Sequence, residues 1–218
     1  GIEGKPVRFI ATPGEVVVLK GTEVIRGDWS AHEGAIYKTQ VNEVFEQVFV
    51  DGEMMIEARW PNARFDQLLD RVCWAKTNVG SRYGKIVDSN LASTEIDWTG
   101  AVATLNVAHQ FFSWTRTVVK HEKGSDTFTY DKDLPGITHY ADKTTPWEEN
   151  VYYLSGKLEA LDQPTEWFLD ESTGTLYVWA PDGDNPEEHE VEVKVRDYGF
   201  DVQGADYVQI EGFRFFGC

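Results

Sequence analysis

The sequence predicts a mainly β fold. The two ends of the chain form consecutive coils of one solenoid, and a long, mostly antiparallel insertion with one helix interrupts them. Short strands of period two mark both ends, and residues 200–218 pair apolar side chains two apart with glycines between the pairs. The middle carries hairpin signals instead. We therefore predict β-helix coils at 1–21 and 190–218 and an inserted β-rich subdomain at 22–189.

The N-terminal coil is predicted from a strand at residues 5–11, a Thr-Pro-Gly-Glu turn at 12–15 and a valine-rich strand at 16–21. Each coil of a solenoid is buried only against the next one, so we expect Val16–Leu19 to pair in parallel with the C-terminal strands. The last coil, Phe200–Cys218, ends on an apolar strand without a polar cap. This predicts that the natural chain continues and that this piece self-associates through its uncapped C-terminal coil.

Hairpins account for most of the insertion. Residues 47–50 and 54–60 flank Asp51-Gly52, which supplies the positive φ angles that a two-residue turn requires. A second hairpin joins residues 166–170 to 175–179. Further strands are predicted at 101–107, 111–121 and 127–130.

One helix is predicted within the insertion. Thr145 stands three residues before Glu148, with Pro146 at the first helical position, which is the pattern of a capping box. The helix should end near residues 162–164. Three leucines fall on one of its faces, at Leu154, Leu158 and Leu161.

The chain is strongly acidic, with 37 aspartates and glutamates against 20 lysines and arginines and a formal charge of −17. Nucleic acids and anionic membranes require a basic face, so we exclude them as partners and leave neutral or cationic ligands open. The sequence contains no apolar run of about 18 residues, so no membrane span is predicted. Gly1–Pro6 lacks the pattern of a signal peptide, so the leader of a secreted parent would lie upstream.

Several sequence segments in the insertion together indicate a family. They lie at residues 47–52, 58–62, 153–162, 166–170 and 174–179. With the flanking coils, they resemble the N-terminal region of bacterial right-handed parallel β-helix proteins that act on polysaccharides, which include glycoside hydrolases and look-alikes of polysaccharide lyases. The match covers most of the chain and is more specific for architecture than for reaction.

The resemblance implies an N-terminal fragment of a secreted, polysaccharide-active β-helix enzyme. Its location would be extracellular, periplasmic or at the cell surface, and its partner a polysaccharide or oligosaccharide. Glycosidic hydrolysis is the first reaction to consider and lyase elimination the second, with the catalytic carboxylates on later coils beyond Cys218. The alternatives are a noncatalytic carbohydrate-binding or surface-adhesion module, and an unrelated β-sandwich whose ends imitate coils.

Candidate substrate-binding residues are Arg59, Trp60 and Trp74. A guanidinium beside an indole face can clamp a sugar, although Arg59 can equally be a buried cation that fixes the end of the hairpin. Glycosidases need two carboxyl groups, and Glu166 and Asp170 are the pair that the pattern offers, with a structural role expected for Glu166. The catalytic residues are otherwise unknown.

No cofactor is predicted. The five histidines lack zinc-ligand spacing. The oxygen-rich segment 182–187 has a turn glycine that calcium sites also use, but it departs from an EF-hand loop and is more typical of a solvated acidic turn.

Overall fold

The computed structural model describes residues 1–107, 110, 112–132 and 150–218. Within these ranges short 3₁₀ turns occur at Phe65–Gln67, Arg71–Cys73, Leu91–Thr94, Leu158–Ala160 and Pro186–Glu188. The strands are β1 Val7–Ile10, β2 Val17–Lys20, β3 Thr22–Val24, β4 Ser30–Ala31, β5 Tyr37–Gln40, β6 Val48–Val50, β7 Glu53–Met54, β8 Ile56–Glu57, β9 Arg59–Trp60, β10 Ala75–Lys76, β11 Lys85–Val87, β12 Val102–Val107, β13 Phe112–His121, β14 Thr127–Tyr130, β15 Val151–Ser155, β16 Glu166–Asp170, β17 Thr175–Trp179, β18 Val191–Lys194, β19 Val208–Glu211 and β20 Phe213–Phe216.

The fold is mainly β, and most strand pairings are antiparallel, as predicted for the insertion. Three larger sheets form among the residues that the structure describes. One has the order β10-β15-β12-β13-β14-β11 with β9 also on β15, the second β4-β5-β17-β16-β8, and the third β3-β18-β6-β7. No helix in the described ranges has the length and apolar character needed to span a membrane.

The two ends of the chain meet in parallel pairs, as the sequence predicts. β1 pairs with β19 in the register Val7 to Val208. β2 pairs with β20 in the register Val17 to Phe213. Two parallel pairs do not establish a right-handed parallel β-helix, so that architecture and the division at residues 21 and 190 remain predictions.

The strand of alternating valines inside the predicted C-terminal coil has different partners. β18 pairs antiparallel with both β3 and β6, in the third sheet. Val191 and Val193 are each 1% exposed and pack in a core that the middle of the chain also builds. The first residues after position 190 therefore share a sheet with β6 of the insertion.

The hairpin of residues 166–170 and 175–179 is confirmed, and the hairpin at Asp51-Gly52 is confirmed for its turn and the residues next to it. The rest of its predicted second strand, 56–60, pairs with β16 and β15 instead of with β6. β6 and β7 join through Asp51 and Gly52, whose φ angles are 52° and 80°. β16 and β17 pair over their full lengths, from Glu166 opposite Trp179 to Asp170 opposite Thr175. The strands predicted near 101–107, 111–121 and 127–130 are also present, as β12, β13 and β14.

The predicted helix is wrong where the structure describes it. Residues 145–149 lie outside the described ranges, whereas Val151–Ser155 is strand β15 and Leu158–Ala160 is a single 3₁₀ turn. β15 pairs with β12 on one edge and with β9 and β10 on the other. The leucine spacing fits a helix, but a valine and two tyrosines start this segment, and such residues favour a strand buried between neighbours.

Two apolar cores stabilise the sheets. The larger one is built on the β15 sheet and includes the fully buried Trp98, Leu105, Phe128, Tyr152 and Leu154. The second combines side chains of the β17 and β18 sheets, among them Val48, Trp167, Leu176, Val178, Val191 and Val193. Each such buried side chain contributes about 1.5–3 kcal/mol to folding.

Candidate functional site

The site is positioned by a short stretch of chain that passes from one sheet to another. β8 pairs with β16, and after Ala58, which is completely buried, β9 pairs with β15. Trp60 thereby lies opposite Leu154, and farther along the same edge of β15 Ala75 of β10 lies opposite Tyr152. The loop between β9 and β10 begins and ends at the same edge of β15. Trp60, at the end of β9, and Trp74, just before β10, therefore lie close to each other.

A groove of about 490 Å³ lies at this edge, and we call it the aromatic groove. Its surface is mostly apolar and includes two of the three residues predicted for substrate binding. The lining residues are Trp60, Pro61, Arg71, Val72, Trp74, Ala75, Lys76, Asp88 and Asn90.

Both indoles are held by packing and are partly exposed. The ring of Trp60 lies 6.4 Å from that of Trp98 and 6.2 Å from that of Tyr152, between centroids. Trp74 meets Tyr153 edge-on at 4.9 Å, and its Nε1 donates to the carbonyl of Leu68 at 3.2 Å. Because their orientations are fixed, the two rings can present preformed faces to a ligand.

Arg59 takes the structural role that the sequence left open. It is 4% exposed, and its Nη2 donates to the Cys73 carbonyl at 2.7 Å while its Nε donates to the Pro61 carbonyl at 3.1 Å. The guanidinium lies 3.7 Å from the ring centroid of Tyr153. Burial lowers the pKa of this guanidinium from its usual value. Arg59 thus ties the two ends of the loop together and positions Trp74 without lining the groove itself.

Asp88 forms part of the groove wall and is completely buried. Its Oδ2 accepts a hydrogen bond from the Tyr152 hydroxyl at 3.0 Å, and its Oδ1 accepts from the backbone N–H of Asn90 at 2.9 Å. Burial, and then the nearby Asp88 charge, raises the pKa of Tyr152 well above its ordinary value, so the phenol stays a donor. This pair fixes the groove wall to the central strand β15.

The chemistry of the groove suits binding. Arg71, Lys76 and Asn90 are exposed at its rim and can donate hydrogen bonds around the two aromatic faces. Among the described residues that line it, Asp88 is the single carboxylate. A glycosidase needs two carboxyl groups flanking the scissile bond, and this lining does not offer them.

Glu166 and Asp170, the carboxylates that the sequence paired, are placed as structural groups. Glu166 is completely buried and accepts hydrogen bonds from the backbone N–H of Asp162 and the amide of Gln163. Burial raises its pKa to about 8. Asp170 accepts from the Ser172 and Thr173 hydroxyls in the hairpin turn, and the Ser172 bond is the largest cause of its lowered pKa.

The acidic segment 182–187 forms a capped turn. Asn185 caps the 3₁₀ turn by accepting from the Glu187 N–H at 3.1 Å, and Glu187 accepts from the Trp29 N–H at 3.2 Å. Over the ranges that the structure describes, no group of three or more His, Cys, Asp or Glu is arranged to hold a metal ion.

Sequence reasoning missed most of the groove lining. Arg71, Lys76, Asp88 and Asn90 lie in a part of the chain, 65–100, that has neither clear periodicity nor a motif. The tryptophans were visible because their side chains are rare and large. The side chains that pack against Trp60 could not be predicted, because only the strand pairing along β15 brings them near it.

One solved structure is similar to this chain in fold. A solved structure named "Glycoside hydrolase" matches 99% of this chain with a TM-score of 0.68 and 18% sequence identity, and the match covers 39% of that chain. A structure of XylC in complex with xylose matches 96% of this chain and 26% of its own at 16% identity, but its TM-score of 0.36 is too low to support an argument. The chain therefore spans well under half of the solved structures it matches. No family model and no curated protein matches the chain.

Proposed function

We propose that the aromatic groove binds a polysaccharide or oligosaccharide. One observation carries this proposal: Trp60 and Trp74, partly exposed and held in place, line one apolar groove whose rim carries hydrogen-bond donors. Sugar rings have an apolar face of C–H groups and a rim of hydroxyls, which match an indole face and polar donors respectively.

The likeness of fold supports a carbohydrate-active protein, since the neighbour with a TM-score of 0.68 is named a glycoside hydrolase. The acidic composition also supports a neutral or cationic partner. We propose further that the two parallel pairs are coils of a right-handed parallel β-helix at 1–21 and 190–218, around an inserted subdomain at 22–189.

In this proposal the chain is the N-terminal part of a longer secreted enzyme, and it supplies a wall of the substrate groove. The catalytic carboxylates, for hydrolysis first and lyase elimination second, lie beyond Cys218. Among the described residues that line the groove, Asp88 is the single carboxylate, and it already accepts hydrogen bonds from Tyr152 and Asn90. The same observation favours a second candidate, a noncatalytic carbohydrate-binding module.

Binding is tested with the chain itself against a panel of neutral oligosaccharides by titration calorimetry. Trp74→Ala and Trp60→Ala should each weaken binding about tenfold, which corresponds to about 1.4 kcal/mol of lost stacking. Tyr198→Ala removes an exposed aromatic ring outside the groove and is the matched control. Equal affinity of all three variants, each shown folded by thermal denaturation, would overturn the proposal.

The full-length natural gene distinguishes the enzyme hypothesis from the binding-module hypothesis. A reading frame that continues past Cys218, whose full-length product cleaves a polysaccharide that the present chain only binds, is the result expected for the enzyme. Binding without turnover by the full-length product favours the module.

A further inference from the structure

The charge balance of the aromatic groove is the reverse of that of the whole chain. The chain has 37 acidic residues against 20 lysines and arginines. Among the described residues that line the groove, two are cations, Arg71 and Lys76, and one is a carboxylate, Asp88. A neutral sugar needs hydrogen-bond donors but no excess of positive charge. The two cations therefore indicate which class of sugar the groove takes.

Both cations are accessible to a ligand. Arg71 and Lys76 are exposed, and over the described part of the chain neither forms an ion pair with a carboxylate. A guanidinium binds an acidic group through two parallel hydrogen bonds, and an ammonium binds it as a point charge. An acidic group on a bound sugar would thus supply a partner for both side chains.

The backbone holds the two cations beside an aromatic face. Arg71 begins the 3₁₀ turn Arg71–Cys73, and its carbonyl accepts from the Trp74 N–H at 3.2 Å. Lys76 lies on β10, opposite Val151 of β15. The ring of Trp74, between the two cations in the sequence, is partly exposed and lines the same groove. Long, flexible cationic side chains on both sides of an indole can reach the substituents of a sugar that packs on it.

The carboxylate in the lining leaves this role to a ligand. Asp88 is completely buried, and its two oxygens accept from the Tyr152 hydroxyl and the Asn90 N–H. It forms no ion pair with Arg71 or Lys76. Its negative charge opposes an anion in the groove, but the two cations outnumber it.

The formal charge of −17 limits how many acidic groups the ligand can carry. The chain as a whole repels a polyanion. At an ionic strength of about 0.15 M, however, exposed charges more than about 8 Å apart are largely screened, so the nearest charges decide the potential within the groove. Together these two effects favour one acidic residue in an otherwise neutral oligosaccharide.

We propose that the aromatic groove selects an oligosaccharide that carries one acidic sugar residue. The carboxylate or sulfate of that residue lies against Arg71 and Lys76, while the sugar rings pack on Trp60 and Trp74. This inference rests on the proposed function, because it names the ligand class of the same groove. The tryptophans supply binding that neutral and acidic sugars share, and the two cations supply the preference between them.

The test is titration calorimetry with β-1,4-linked tetramers of glucose, galactose and mannose. Each tetramer is used in its neutral form, with one residue oxidised at C6 to a carboxylate, with that carboxylate as its methyl ester, and with one sulfate at C6. For at least one sugar, an acidic form should bind about fivefold more tightly than the uncharged forms, as expected for two exposed ion pairs. A preference for one acidic form over the other identifies the acidic group.

Variants assign the preference to the two cations. Arg71→Gln and Lys76→Gln each keep a polar side chain but remove one charge, so each should lower the preference about twofold, and the double variant should abolish it. Arg214→Gln on β20 and Lys5→Gln are the matched controls, because both residues are exposed and neither lines the groove. They should keep the preference. Thermal denaturation establishes that each variant is folded.

Equal binding of the acidic and uncharged forms of every tetramer would overturn this inference, whereas weaker binding of all forms by Trp74→Ala would still support the proposed function. The inference also fails if Arg214→Gln or Lys5→Gln lowers the preference as much as the groove variants do, because net charge would then explain it. If no form of any tetramer binds, the inference is overturned, and the panel of neutral oligosaccharides decides the proposed function separately.

Discussion

Arg59 is a buried cation that is satisfied by two carbonyls and one aromatic face. Its partners, the carbonyls of Pro61 and Cys73 and the ring of Tyr153, require the planar fork of a guanidinium. A lysine can reach one carbonyl and leaves the other without a donor. The groove therefore depends on a residue that does not line it.

We expect Arg59→Lys to lower the free energy of unfolding by about 2–3 kcal/mol, because it removes a charge-assisted hydrogen bond and a stacked cation from a buried site. Urea denaturation measures this. Arg64→Lys is the matched control, since Arg64 pairs with Asp66 at the surface with 73% of its side chain exposed, and its change should stay within about 0.5 kcal/mol. Similar losses in both variants would contradict the assigned role of Arg59.

Glu166 predicts a pH dependence of stability. Its pKa is about 8 in the folded chain, above the usual 4.5, so the folded state binds the proton more tightly than the unfolded state does. The stability that this proton provides is complete below pH 4.5 and is lost as the pH rises through 8. Glu166→Gln keeps a neutral group and should remove this loss, so its stability relative to the parent should rise by about 3–5 kcal/mol between pH 4.5 and 9.

Urea denaturation of both proteins across this range gives the comparison. Glu159→Gln, at an exposed position in the 3₁₀ turn that ends at Ala160, serves as the control and should follow the pH profile of the parent. A profile of Glu166→Gln that stays parallel to the parent would show that Glu166 is ionised without penalty.

At the scale of elements, local turn chemistry decided what could be predicted. The Asp51-Gly52 hairpin and the hairpin of β16 and β17 were predictable because alternation and turn residues agree within about ten residues of sequence. The helix predicted to end near 162–164 failed over β15, where leucine spacing was outweighed by pairing on both edges of the strand. Such pairing partners are distant in sequence and leave no local signal.

The first hairpin gives a prediction for its turn. Gly52 has φ +80° and open space where a Cβ would lie, so a substituent there meets backbone strain without a clash. Gly52→Ala should cost about 1 kcal/mol in the free energy of unfolding, whereas Gly52→Asn should cost less because asparagine tolerates this conformation. Thermal or urea denaturation of both variants measures the difference. An alanine variant as stable as the asparagine variant would contradict the turn geometry.

The candidate site shows the same division. Trp60 and Trp74 could be named from the sequence because large aromatic side chains are candidates for stacking on sugars wherever they occur. Asp88 and Asn90 could not, because the Tyr152 hydroxyl and the register of β15 alone place them in the groove wall.

At the scale of the whole molecule, the parallel pairs at the chain ends leave large apolar side chains exposed. Phe200 lies 5.3 Å from Phe9 and 5.4 Å from Phe213, between ring centroids, in a small apolar layer. Phe9 and Phe215 nevertheless remain 44% and 53% exposed. The formal charge of −17 opposes association through this face, because copies of the chain repel one another.

We therefore expect self-association through the C-terminal coil to depend on salt. Raising the ionic strength from about 0.01 to 1 M shortens the Debye length from about 30 to 3 Å, which screens the repulsion while apolar contacts persist. Light scattering after size exclusion should show a larger mass at high salt, and Phe215→Lys should restore the monomer. Leu69→Lys makes the same chemical change at a residue that is 93% exposed elsewhere on the surface, and it should associate like the parent. A monomer at every salt concentration would show that the chain does not self-associate. A loss of association caused by Leu69→Lys instead of Phe215→Lys would place the association surface away from β20.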